Sequence, residues 1–178
     1  MSLPWGSSHR IALLAPVTTV AQAAAAAAAG AALVDAGPDG ALVPAIRRAV
    51  GGVRVCGQHE TADVVREAGL AARAGAALIC PGPDVAAAAV RRGVAAERIL
   101  VQAAPAGIEP AVRAGWNVLA DLEGLDGRAR TEAVAAVCAW LGASVLRTRC
   151  LAEVRRCADM TESILGRRPP AWAVRGLA

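Results

Sequence analysis

The sequence contains no lysine, no phenylalanine and no tyrosine, and its only histidines are His9 and His59. Without Phe or Tyr, the core has to be filled by Ala, Val, Leu and Trp. Without lysine, all 19 basic residues are arginine, so any role that needs a lysine amine is excluded. The arginines are scattered, often as pairs such as Arg47-Arg48, Arg91-Arg92 and Arg155-Arg156. No basic stripe interleaved with aromatics exists, so nucleic acid is not an expected partner. The five cysteines (Cys56, Cys80, Cys138, Cys150 and Cys157) form no C-x-x-C pair and have no histidine at metal spacing. An odd count in a chain with an ample core implies reduced thiols and a cytoplasmic setting. His9-Arg10, an apolar run and then alanines imitate a secretory leader, but Pro16, Thr18 and Thr19 interrupt the run. Neither secretion nor a membrane partner is expected.

What is present is a chain of 178 residues, 56% hydrophobic, which suits one domain with a substantial core. Helical and strand-like segments alternate along it. Short apolar strands are expected at Arg10 to Val17, Ala32 to Ala36, Val53 to Gly57, Ala76 to Cys80, Ile99 to Gln102, Asn117 to Asp121 and Ser144 to Thr148. Between them, Thr18 or Thr19 can cap a poly-alanine helix that runs to Gly30. Ala41 to Val50, Thr61 to Ala74 and Ile108 to Ala114 read as further helices. Asp84 and Asp126 are placed to cap two others. The closing stretch, Thr131 to Gly166, reads as helix, strand, helix, with Gly142 as a stop signal and Trp140 expected to pack. Seven strands alternating with helices predict a parallel sheet with helices outside it.

Several pieces of the chain resemble dihydropteroate synthase, the pterin-binding barrel enzyme of folate synthesis. In the last helix, Ala136, Ala139 and Trp140 lead to Gly142, and the strand after it ends Arg147-Thr148-Arg149, where the family has Arg-x-His. Val20 to Gly37 is similar to the family's first helix and second strand, and Gly93 to Val101 to the approach to a later strand. The resemblance implies an α/β, TIM-barrel-like (β/α) barrel. With seven strands counted, it is shortened by about one β/α unit, and an open doubly wound sheet is the alternative. The expected division is a disordered N-terminus at 1–9, the pterin-binding-like barrel at 10–168 and a C-terminal tail at 169–178.

In such a barrel the chemistry lies just past each strand, so the strand tips are the positions to compare. The first tip offers Ala15-Pro16 where the family has an Asn for metal and diphosphate. Gln58-His59 stands for Asp-Thr after the third strand, Cys80-Pro81 for Asn-Asp after the fourth, and Gln102 for a later aspartate. The lysine is absent, and the histidine of the last tip is Arg149. Gln58 and Gln102 each offer one acceptor and one donor group and can meet an amide-like edge, more weakly than a carboxylate would. Arg147 and Arg149 can hold an anion, or else pair with Asp121 or Glu123 on the neighbouring tip. Asp35, near the end of the second strand, completes the candidate ligand-binding set. His59 reads as a helix N-terminal residue. Cys80 reads as a small buried hydrophobe, with a nucleophile as the competing role. No Mg²⁺ site, cofactor or catalytic residue is expected.

The resemblance with these losses implies a dihydropteroate synthase-like protein without the catalytic set. It would bind a pterin-like or phosphorylated small molecule. An active synthase with a rearranged site and a structural or regulatory subunit of a full-length synthase are the alternatives. A homodimer, or a full-length synthase paralogue, is the protein partner this view implies.

Overall fold

The computed structural model describes residues 10–167; the segments 1–9 and 168–178 lie outside the described residues, and with them both expected termini. Eight parallel strands close into a barrel in the order of the chain. They are β1 (Ala12–Pro16), β2 (Leu33–Asp35), β3 (Arg54–Cys56), β4 (Val64–Val65), β5 (Ala77–Cys80), β6 (Ile99–Gln102), β7 (Asn117–Asp121) and β8 (Val145–Arg147). The seam is closed by β8 against β1, with Ala12 opposite Val145 and Leu14 opposite Arg147. Around the barrel run α1 (Val20–Ala28), α2 (Leu42–Ala49), α3 (Ala68–Ala74), α4 (Pro83–Arg91), α5 (Pro105–Arg113), α6 (Arg128–Trp140) and α7 (Leu151–Ile164).

The expected barrel is present and closed, but the count of seven strands is corrected to eight. The additional strand, β4, lies inside 61–74, which the periodicity assigns wholly to a helix; only Ala68–Ala74 is helical. What the chain lacks, among the described residues, is a helix between β3 and β4. Parallel neighbours ordinarily need a crossover of roughly a dozen residues or more. Here residues 57–63 suffice, because β4 begins level with the end of β3, Val64 pairing with Cys56. The Asp63 carboxylate reinforces the join by accepting from the Val55 N–H at 2.9 Å and from Arg47 at 2.9 Å. Gly57 makes the turn sterically possible: a Cβ there would come within 2.5 Å of Val43 Cγ2 on α2.

Side chains alternate across each strand, so the barrel has two cores. Leu14, Leu33, Cys56, Val64, Ile79, Leu100, Leu119 and Val145 point inward and fill the barrel, as an eight-strand barrel requires. The outward set, including Leu13, Val34, Val55, Val65, Leu78, Val101, Val118 and Leu146, packs against the helices. Alanine lets the helices lie close to this layer: Ala23, Ala26, Ala86, Ala89, Ala135 and Ala139 are all buried.

Helix ends follow the expected chemistry in part. The Thr19 hydroxyl accepts from the Gln22 N–H at the start of α1. Gly142 sits at φ 97° just past α6, the left-handed conformation that ends a helix. Asp84 and Asp126 are not caps: α4 starts from Gly82 with Asp84 in its first turn, and α6 starts from Gly127. Trp140 does not pack inside; it is 57% exposed, and Val137 on the same helix is exposed too.

Candidate functional site

The parity that fills the barrel also decides what rises at its C-terminal mouth. Two residues beyond the inward Leu33 comes Asp35, beyond Val64 comes Arg66, beyond Leu100 comes Gln102, beyond Leu119 comes Asp121 and beyond Val145 comes Arg147. Five polar side chains from five strand ends are thereby stacked on the apolar interior.

Asp35 is the centre of this group. Its side chain is only 2% exposed, and Oδ2 accepts from Arg66 Nη2 at 2.8 Å and from Arg147 Nε at 3.2 Å. Oδ1 accepts from the Gly37 N–H at 3.0 Å, which anchors the tight loop after β2. A buried carboxylate survives only when its charge and lone pairs are met, and three donors do that here. Arg147 reaches the other way as well, its Nη1 donating to both oxygens of Asp121 at 3.2 Å. Burial opposes the charge on Arg147, but Asp121 and then Asp35 outweigh it and hold the guanidinium above its usual pKa. Gln102 stands at the edge, its Nε2 in a weak 3.5 Å contact with Asp121 Oδ2. The result is a belt running from β4 through β2 and β8 to β7.

Of the expected ligand residues, Asp35, Gln102 and Arg147 are brought together in this belt. Arg149 is not; it is exposed on the rim, with Nε 3.1 Å from Glu123 Oε2 and its backbone N–H donating to Glu123 Oε1. Gln58 is exposed on the β3–β4 connection and takes no part in the belt. His59 heads no helix: its Nδ1 lies 2.8 Å from the Thr61 hydroxyl and accepts from the Thr61 N–H.

Arg66 was missed. With 61–74 assigned to a helix, the residue had no strand tip to stand on. The only available signal was the β-branched pair Val64-Val65 just before it. The same slip moves Cys80 from the fourth strand tip to the fifth, and Arg66-Glu67 takes the fourth. Cys80 is buried, its thiol turned toward the Gly82 carbonyl and its pKa pushed up by burial. Cys56, under Asp35, is pushed up to about 12, first by burial and then by that carboxylate. Neither thiol carries the charge of a nucleophile at neutral pH.

The metal that the resemblance implies does not fit the described residues. Among the described residues no three His, Cys, Asp or Glu side chains gather to hold an ion. Asp35 and Asp121, the carboxylates nearest such a role, already face arginine. Beside the mouth, a cleft of about 580 Å³ opens between the tip of β1, α1 and the start of α7, lined in part by Pro16, Thr18, Gln22 and Ala25. Arg149 is the one expected ligand residue that borders it. Among the described residues, no helix is long and apolar enough to cross a membrane.

No protein-family model and no curated protein matches the sequence. Solved structures do. The Mycobacterium tuberculosis protein Rv1207 is similar at a TM-score of 0.75 and 24% identity, over 92% of this chain and 94% of that one. The Yersinia pestis dihydropteroate synthase follows at 0.71 and 15%, over 88% and 93%. The Vibrio fischeri 7,8-dihydropteroate synthase gives 0.73 and 13%, over 90% and 95%. At these identities the likeness carries the fold: the chain has the barrel of dihydropteroate synthases.

Proposed function

We propose that this chain, built on the barrel of dihydropteroate synthases, is a non-catalytic cytoplasmic protein related to folate biosynthesis. Its mouth binds a pterin-like or phosphorylated small molecule. The observation that carries this reading is the belt of Asp35, Arg66, Arg147 and Asp121 across the strand ends. It occupies the position where barrels of this type take their ligands, and it rests on a filled, rigid interior. Displacing diphosphate from a pterin requires groups that neutralise the charge of the leaving group as it develops. Here the inward arginines are already neutralised by neighbouring carboxylates, and the residues do not form a metal site. Binding survives such a change more readily than turnover does.

Calorimetric titration with 6-hydroxymethylpterin, with its diphosphate and with p-aminobenzoate tests the reading, Arg147→Ala serving as control. Binding of a pterin form, lost in the control and unaccompanied by dihydropteroate formation, is expected. Silence from all three ligands removes the binding role. Rescue of a strain lacking the synthase establishes the active enzyme instead.

A second reading concerns assembly. The outer faces of α6 and α7 expose Val137, Trp140, Met160 and Ile164, all large apolar side chains. These four side chains are uncharged, and we assign this face to a homodimer, in which it meets its own copy. Sedimentation of the native protein and of Trp140→Glu checks it: a dimer becoming a monomer is expected. A monomer that takes up a full-length synthase points to the regulatory subunit.

A further inference from the structure

We infer that the mouth is built for an uncharged ligand and turns anions away, which decides between the two ligand classes just given. This rests on the mouth being the ligand site, and goes beyond it to the charge of what enters.

Three arginines stand at the strand ends, and each has a carboxylate of its own. Arg66 is 2.8 Å from Asp35, Arg147 is 3.2 Å from Asp121 and Arg149 is 3.1 Å from Glu123. Arg147 is additionally held by Asp35 at 3.2 Å. The six groups sum to zero charge. A phosphate or diphosphate arriving there finds no cation in excess. To claim Arg147 it would have to break contacts with two carboxylates, one of them buried, and leave Asp35 with less of the pairing that burial demands. Helix N-termini point at the mouth of any such barrel and favour anions. In α4 and α7 that attraction is offset by Asp84 and Glu153 in the first turn, while the other five helices carry no acidic residue there, so the anion exclusion rests on the paired arginines.

A neutral heterocycle with a cyclic amide edge meets the opposite situation. Asp121 is 29% exposed and Gln102 is half-buried, so acceptors face the mouth. Arg66, 35% exposed, has a donor fork of five N–H groups, only part of which is used on Asp35. Donors and acceptors therefore alternate around a site without net charge. Such a pattern reads a ring by hydrogen bonds and needs no counter-charge from it.

Removing one carboxylate should convert the site. Asp121→Asn keeps the shape and frees Arg147 on one side; Glu123→Gln frees the exposed Arg149 and leaves the fold untouched. Inorganic pyrophosphate and uncharged 6-hydroxymethylpterin are titrated calorimetrically into the native protein and both variants, with thermal melts verifying folding. The native protein is expected to bind pyrophosphate at least tenfold more weakly than the pterin. Asp121→Asn should gain pyrophosphate affinity by about tenfold or more, equal to about 1.4 kcal/mol, and Glu123→Gln by less. Native protein that binds pyrophosphate as tightly as the pterin overturns the inference, and so does a lack of gain in both folded variants. If neither ligand binds the native protein and the variants still gain pyrophosphate, charge balance stands while the ligand-binding function falls.

Discussion

The two ends of the barrel handle the same kinds of side chain in opposite ways. At the mouth, three arginines meet three carboxylates and the buried Asp35 has three donors. At the base, α7 is stapled to the first strand by a comparable set. Arg10 pairs with Asp159 at 3.1 Å, and Arg155 donates to the Ile11 carbonyl at 2.9 Å and to Asp159 at 3.3 Å. The Ile11 N–H donates to Glu162 Oε1 at 3.1 Å, but Glu162 Oε2 is buried with no hydrogen-bond partner among the described residues. Burial pushes the Glu162 carboxyl up and the Arg155 guanidinium down, the latter aided by Arg10. Among the described residues, the charged groups named at the mouth are all paired, whereas one oxygen of Glu162 at the base is not. Charge at the mouth is thus balanced, and charge at the base carries a residual cost of joining β1 to α7.

Mutations can break this contrast, beginning with the largest effect. Asp35→Ala leaves Arg66 without its carboxylate and Arg147 with Asp121 alone, and should cost up to about 3 kcal/mol in chemical denaturation; a loss under about 1 kcal/mol would mean the belt holds nothing together. Gly57→Ala forces a Cβ against Val43 Cγ2 and should cost about 1–3 kcal/mol. A neutral result there would contradict the short β3–β4 crossover.

Glu162→Gln has the opposite sign. The folded-state pKa of Glu162 is raised, so the folded protein holds that proton more firmly than the unfolded chain. The resulting stabilisation is full below the ordinary carboxyl value of 4.5 and is lost as pH rises through the folded value. The variant should therefore be more stable than the native protein at neutral pH, by up to about 1 kcal/mol, with the advantage vanishing in acid. Melting curves at pH 7 and pH 4 test it, and a destabilised variant at pH 7 would mean that Oε2 is satisfied. Smallest of all, Arg149→Ala removes an exposed pair and should shift stability by no more than about 0.5 kcal/mol.

Much of this was legible in the sequence. Seven strands announce themselves as short apolar runs bounded by glycine, proline or charge, and their observed limits lie within the expected ones. Asp35 and Arg147 could be selected because each ends such a run. Two things hid the rest. Val64-Val65 is two residues long and sits among alanines and charges spaced as in an amphipathic helix, so helical periodicity absorbed the strand and Arg66 with it. The exposure of Val137 and Trp140 depends on how α6 rolls against α7 and the barrel, and apolar spacing alone does not fix which face is covered. The pairing of Arg147 with Asp35, 112 residues apart, follows from barrel closure and has no local signature.

The central claim, a charge-balanced mouth that accepts a neutral ring, is tested most directly by the arginine Nε–H resonances of the labelled protein. Arg66 and Arg147, identified by Arg66→Gln and Arg147→Gln, should give dispersed signals that move on adding 6-hydroxymethylpterin and stay still with pyrophosphate. Signals that respond to pyrophosphate and ignore the pterin would contradict it.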